Sequence, residues 1–250
     1  MRCSRVSLLL YLLLFSACAM AQFAKGTRMA GASVGSIFFN TGSSDQTVTS
    51  IGSTTGKVSG YGISITPSLG WFVSEKTAAG FLVNIHPSGE KISYEENGST
   101  FQKDNASSFN MGIGGFVRNY FGVEGSLLPF GQFNLEAGTS NLNKDGFFYG
   151  GRSPNVYKDT YETKASGGFY GSTGLMLGIT KKLGTYTGLD LYAGYSYSYN
   201  KNTSKTTRLR DNEINGTIDE TLTNETTSKF TNHRFMIGLG FQIFLEKKKK

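Results

Sequence analysis

Cysteine is nearly absent. The only two, Cys3 and Cys18, lie at the N-terminal end of a 250-residue chain. The remainder can build neither a disulfide framework nor a thiolate site. Long apolar runs are scarce as well. Val6 to Phe15 is the longest, and it falls short of the roughly 20 residues that a spanning helix needs, so nothing here reads as a transmembrane helix. Histidine occurs twice, as His86 and His233, which leaves little material for acid–base or imidazole–metal chemistry. With only 4 prolines, the 33 glycines are not linker composition and read as strand-face material.

The first residues, Met-Arg-Cys-Ser-Arg, an apolar run and then Ala19-Met20-Ala21 before Gln22 follow the order of a secretory signal peptide, assigned to residues 1–21. Phe15-Ser16-Ala17-Cys18 loosely resembles a lipoprotein box, which keeps lipidation of Cys18 open as a rival. Removal of Arg2 and Arg5 lowers the formal charge from +7 to +5. An excess this mild argues against nucleic acid as a partner.

Glycine and aromatic residues, the latter 13% of the chain, dominate what remains. In Arg234 to Leu245 the residues Phe235, Ile237, Leu239, Phe241, Ile243 and Leu245 alternate with Met236, Gly238, Gly240 and Gln242. That is the strand period, and about eleven residues suffice for a tilted strand to cross a bilayer core. Seven further segments behave alike: Met29 to Phe39, Tyr61 to Val73, Thr77 to His86, Ser108 to Phe121, Leu127 to Ser140, a sixth around Phe169 to Ile179, and Thr187 to Asn200. Pro67 removes one ladder donor and predicts a local bulge. The connections alternate long and short. Asn40 to Lys57, Pro87 to Ser107, Asn141 to Thr163 and Lys201 to Ser228 are long and polar. Ser74 to Lys76, Gly122 to Ser126 and Lys181 to Tyr186 are short.

This rhythm predicts an all-β fold, an eight-stranded antiparallel up-and-down transmembrane β-barrel, with short turns in the periplasm and four long extracellular loops. The barrel domain covers residues 22–246, and residues 247–250 form a basic tail. A soluble lipocalin-like barrel is the alternative. It would leave an exterior of Gly, Ser and Asn and would give no reason for alternating loop lengths. Aromatic girdles are expected at both interfaces. Trp71, Tyr120 and Tyr186, with Phe72 and Phe121, lie at the turn ends; Tyr197 and Tyr199, with Phe38 and Phe39, lie toward the loop ends.

The mature chain resembles the small outer-membrane β-barrel family of Gram-negative bacteria, and its Gly- and Tyr-rich strands are similar to those of members from Bacteroidetes-type lineages. Gly240-Phe241-Gln242-Ile243-Phe244-Leu245 resembles the signal by which the barrel-assembly machinery recognises a last strand. Gly240, Ile243 and Leu245 are the positions that would carry it. Members commonly stop at an aromatic residue, whereas Glu246 and four lysines follow here. The resemblance implies outer-membrane localisation and names no substrate.

Inward polar positions, Asn84, Asn110, Arg118, Gln132, Asn134, Glu136, Asp190 and Gln242, are expected to form a lumen network. An eight-stranded interior is just wide enough to be filled by side chains, so the network reads as a polar plug, or alternatively as a narrow ion or water path. Rim placement of His86 and His233 leaves a lipid or peptide hydrolase or acyltransferase as a further alternative, but nothing local forms a nucleophile–base set, Ser and Thr crowd every loop, and the reading is no enzyme. Gly52 to Lys57 is too short for a phosphate loop and leads into a strand. Asn-X-Ser/Thr sites at Asn97, Asn202, Asn215 and Asn224 would matter only in a eukaryotic secretory pathway. Phe147, Phe148 and Tyr149 form an aromatic cluster in the third long loop, able to anchor a partner or to cap the barrel mouth. The expected protein is a monomer without cofactor or metal, in contact with outer-membrane lipid. Its envelope or surface role would be carried by its loops, toward an unknown extracellular ligand or protein.

Overall fold

The computed structural model describes residues 23–48, 52–96, 99–121, 126–152 and 155–245. The assigned signal peptide with Cys3 and Cys18, the Asn97 site, most of the Gly122 to Ser126 turn and the 247–250 tail lie outside these residues. Eight antiparallel strands close into one barrel in chain order: β1 (Arg28–Val48), β2 (Gly52–Phe72), β3 (Thr77–Glu96), β4 (Ser99–Tyr120), β5 (Leu127–Arg152), β6 (Asn155–Lys182), β7 (Thr187–Asp211) and β8 (Glu220–Leu245).

Period two decides which side chains meet lipid. On β8, Phe235, Ile237 and Leu239 are 85%, 75% and 64% exposed, whereas Gln242 and Phe244 between the later outward positions are 2% and 1% exposed. Leu69 and Trp71 on β2, Phe81 on β3, Ile113 on β4, Leu135 on β5, Leu175 and Leu177 on β6 and Leu191 on β7 extend the same apolar belt around the barrel. An outer surface this apolar needs a bilayer to cover it. Among the described residues no helix is long and apolar enough to cross a membrane, so the crossing is made by strands. The molecule is a transmembrane barrel of the outer-membrane kind.

The strands are longer than the sequence pattern suggests. They run 20 to 28 residues, or roughly 65 to 90 Å at about 3.3 Å per residue, against an apolar band of about 25 Å. The four segments expected to be long loops are therefore mostly strand. Asn40 to Lys57 belongs largely to the β1–β2 ribbon, and the other three to the β3–β4, β5–β6 and β7–β8 ribbons. The physical reason is that a ribbon in water is wet on both faces and has no apolar alternation to reveal it, while Thr-rich stretches such as Glu220 to Thr231 keep their β propensity. Consistently, residues Glu220 to Arg234 are exposed on nearly every position.

Two local expectations are corrected. Pro67 pairs in register with Ala32, and the β2–β3 register is continuous across it, with pairing at Ile65 and resuming at Ser68. Its missing donor costs ladder bonds without making a bulge. The irregularity lies instead in β1, between Gly35 and Phe38. From that point upward β1 leaves β8: the seam holds only from Arg28↔Leu245 to Gly35↔Gly238, while β1 continues beside β2 to Val48.

Beneath the strands, residues 23–27 tuck under the periplasmic end. Phe23 stacks on Phe72 at 4.1 Å and meets Phe244 at 4.8 Å, while Gly26 donates to the Phe72 carbonyl at 2.9 Å. Tyr120, read above as an interface anchor, is 0% exposed inside this layer, and Phe72 is 1% exposed. Both sit near a turn, but on β4 the inward set is Phe116, Arg118 and Tyr120. Parity along the strand, not distance from the turn, fixes which side a ring faces. Trp71, Tyr186 and Tyr197 do lie outside, 40%, 56% and 39% exposed, and the partly exposed Tyr199 packs near Phe169 at 6.3 Å.

Candidate functional site: the lumen plug and its outer chamber

The inward polar residues divide into two networks. The lower one centres on Asp190 of β7. Its carboxylate accepts from Arg118 Nη1 at 2.7 Å, Thr180 Oγ1 at 2.6 Å and Gln242 Nε2 at 3.0 Å. Arg118 in turn donates through Nε to Gln132 at 2.5 Å and through Nη1 to the Tyr120 hydroxyl at 3.2 Å, and its guanidinium lies 4.0 Å from the Phe130 ring centroid. Gln132 passes the chain on to Asn134 at 2.8 Å. Both members of the ion pair are nearly sealed from solvent, with side chains 6% and 1% exposed. A buried pair of this kind is tolerated because almost every remaining donor and acceptor around it is matched.

Large rings fit below and beside this pair because glycine stands opposite them on the neighbouring strand. A Cβ at Gly238 would stand 2.2 Å from the Tyr192 ring, and one at Gly178 would stand 2.6 Å from that of Phe130. Gly240 likewise lies against Asp190 and Ser33. In this place the three glycines act by the volume they leave open. Together the ion pair and the layer of Phe23, Met29, Phe72, Tyr120, Phe130 and Phe244 pack into the periplasmic half of the lumen.

Farther out, Glu136 of β5 anchors the second network. Its carboxylate accepts from Asn84 Nδ2 at 3.1 Å and from the Tyr170 hydroxyl at 2.9 Å, and Asn84 accepts from Ser64 at 3.0 Å. A polar cavity of about 120 Å³ runs from the lower network past Glu136 to the outer part of the lumen, lined among others by Arg118, Gln242, Glu136, Asn110, Asn200 and Arg234.

The eight lumen residues named from sequence are thus placed on the inner wall, in two groups, and Asn110 stands apart at the chamber. Sequence reasoning missed Tyr170, Tyr192 and Thr180. All three fall on inward positions of their strands, so the alternation that marked Asp190 would have found them. His86 lines the chamber, whereas His233 on the outer face shares a hydrogen bond with the Tyr195 hydroxyl. The two histidines share no site.

The aromatic cluster at Phe147 to Tyr149 is split by the same alternation. Phe147 and Tyr149 lie 5.7 Å apart with Lys158 Nζ 5.3 Å and 5.7 Å from their centroids. Phe148 points to the other face, 6.1 Å from Tyr157, with Arg208 5.3 Å away. On that face Asp159 gathers Arg208 and Arg210, the latter through Nε at 2.9 Å. Burial alone would raise the Asp159 pKa, but hydrogen bonds from Arg210 and Arg208 hold it below the usual carboxylate range. At the β7–β8 tip, Asp211 accepts backbone N–H groups of Glu213, Asn215 and Gly216, which fixes the turn that carries Ile214 and Gly216 at positive φ.

No family model matches the chain, and no curated protein matches it. Solved structures with similar architecture include the outer membrane protein AlkL in lipid bilayers, at 14% identity over 93% of this chain and 96% of that one with a TM-score of 0.38. OprG from Pseudomonas aeruginosa follows at 10% identity, 91% and 100% coverage and a TM-score of 0.40. Neisserial surface protein A stands at 13% identity, 86% and 96% coverage and 0.34. Scores this low support nothing about solutes or partners of this chain. Its own strand order, closure and apolar belt make it an outer-membrane-type β-barrel.

Proposed function

We propose that this barrel serves the cell envelope through its outer ribbons, as a structural or surface-interaction protein, and that its lumen is not a through-pore. The observation that carries this reading is the Arg118–Asp190 pair set on a layer of packed rings, which occupies the lumen where a solute would have to pass. The strands meanwhile continue far beyond the apolar band and display aromatic rings beside cations, as at Lys158 with Phe147 and Tyr149. Such rigid amphipathic rings with Arg and Lys are the side chains enriched at binding hot spots. The partner would be an extracellular ligand or protein. In the membrane the barrel is a monomer among outer-membrane lipids, inserted by the barrel-assembly machinery acting on the last strand with Gly240, Ile243 and Leu245. The closer kinship to Bacteroidetes-type barrels belongs to this reading, as does the absence of enzymatic activity.

The test combines two measurements. Protein from purified outer membranes should show heat-modifiable gel mobility, and planar-bilayer recordings should give at most small, infrequent openings. Replacing the tip 144–160 by a short turn should abolish surface binding to the partner while leaving mobility intact. A steady conductance that changes selectivity on Glu136→Gln would replace this reading by the narrow-channel one, which the polar chamber favours.

A further inference from the structure

On the outer face of β7 and β8, just above the apolar belt, two lysines face each other without a counter-charge. The outward apolar set of β7 runs from Leu189 to Tyr199, roughly 33 Å of strand; at a tilt of about 40° this spans about 25 Å, the height of an apolar band. The next outward position is Lys201, at the level of the lipid headgroups. In register it stands directly opposite Lys229 of β8 and, on its other side, opposite Phe169 of β6. Both lysines are exposed, and neither belongs to an ion pair formed among the described residues. Like charges directly opposite one another destabilise a sheet. Farther out on the same face, Lys205 stands opposite Glu225 and Lys164 pairs with Glu162 at 2.6 Å. Between the two levels Thr203 and Thr227 share a hydrogen bond at 3.0 Å, so the ladder there is neutral.

Directly beneath the lysines an apolar groove descends into the belt. The row below Phe169 and Lys201 is Ile113, Ala137, Gly171 and Tyr199, paired in that order from β4 to β7. Its small members, Ala137 and Gly171, form the floor of a groove of about 520 Å³, and Ile113, Leu135, Phe169 and Tyr199 stand around it. The Phe169 and Tyr199 rings, 6.3 Å apart, mark its upper end.

We propose that this face binds one membrane lipid with a phosphate headgroup, its phosphate between Lys201 and Lys229 and one acyl chain in the groove. A groove alone would accept any hydrocarbon, and two lysines alone any anion. Positive charge at headgroup level set over an apolar floor at belt level selects a molecule that has both parts. Two ammonium groups with no carboxylate match a phosphate monoester, which carries about −1.5 to −2 charges at neutral pH, better than a singly charged diester. Directly opposed Cβ atoms lie about 5 Å apart, close enough for both ammonium groups to donate to one phosphate and so relieve their repulsion. The site is separate from the lumen and from the tip 144–160, and it does not depend on the surface-binding reading.

The experiment uses the full-length barrel in nanodiscs of phosphatidylcholine doped with phosphatidic acid, or with phosphatidylglycerol as the diester control. Lipid kept by the protein on release is counted by native mass spectrometry, and heat-modifiable mobility confirms the fold of each variant. One retained phosphatidic acid per barrel is expected, held in preference to phosphatidylglycerol and phosphatidylcholine. Lys201→Gln and Lys229→Gln should each weaken retention about fivefold, the effect of one basic residue at a membrane surface. Lys205→Gln, at the matched level above, should leave it unchanged. Ala137→Leu fills the groove floor without touching charge and should weaken retention as well. Equal retention of the three lipids overturns the proposal, because the face would then hold ordinary boundary lipid. Retention unaltered by both lysine variants, or by Ala137→Leu, overturns it too. So does full displacement of phosphatidic acid by inorganic phosphate, which would mean an anion site without a lipid bed, and so does a mass of two barrels without lipid, which would place a second copy on this face.

Discussion

Removing Asp190 tests the plug most directly. In Asp190→Ala the guanidinium of Arg118, whose side chain is 6% exposed, loses its counter-charge at 2.7 Å, while Thr180 and Gln242 lose their acceptor. Breaking one partner of a buried pair leaves an uncompensated charge and costs about 3 to 5 kcal/mol. Gln132 and the Phe130 ring still contact Arg118, so the lower half of that range is expected. The double variant Arg118→Met with Asp190→Leu removes both charges and restores apolar volume, and should recover most of the loss. The assay is reversible urea unfolding in lipid vesicles, followed by the fluorescence of Trp71, the sole tryptophan, and by gel mobility, analysed as a double-mutant cycle. Additive losses in the two single variants, or a cost below about 1 kcal/mol for Asp190→Ala, would refute the argument that a sealed ion pair holds the plug.

Ile237→Arg, at a position 75% exposed on the closing strand, should cost about 2 to 4 kcal/mol in a bilayer, measured by the same unfolding, because a charge there meets hydrocarbon; a neutral outcome would mean the belt does not face lipid. Trp71 fluorescence should be blue-shifted in vesicles and quenched more by lipids brominated near the headgroup than at the bilayer centre, and full quenching by aqueous iodide would redraw β2. Asp159 ties β6 to β7 with a depressed pKa, so its contribution is complete above the ordinary value of about 3.9 and is lost as pH falls through the lower folded value; amide exchange at Asp159 and Arg210 should accelerate only in that acid window, and acceleration near pH 6 would count against the clamp. Gly238→Val should drive a side chain into the Tyr192 ring, lowering folding yield, whereas Gly42→Val, with open space around it, should leave yield unchanged.

The part of the fold that crosses the membrane was legible in the sequence because lipid imposes a contrast. Each residue from Phe235 to Leu245 either meets hydrocarbon or the lumen, so the period is written in the composition, and the same holds for Tyr61 to Trp71. Outside the bilayer that contrast ends. Glu220 to Arg234 is polar on both faces, and only backbone pairing with β7 makes it strand. Inward residues could be named from parity, as with Asn84, Arg118 and Asp190, but not their partners. Strand tilt and shear bring Asn84 of β3 to Glu136 of β5, and Arg118 of β4 to Asp190 of β7, across 52 and 72 residues of chain. The same tertiary closure decided that Tyr120 is a plug residue and not an interface anchor, that Phe147 and Phe148 part to opposite faces, and that the β1–β8 seam ends at Gly35 and Gly238. Sequence alternation determines which side of a strand a residue occupies; only the closed, sheared barrel determines which residues then stand opposite one another.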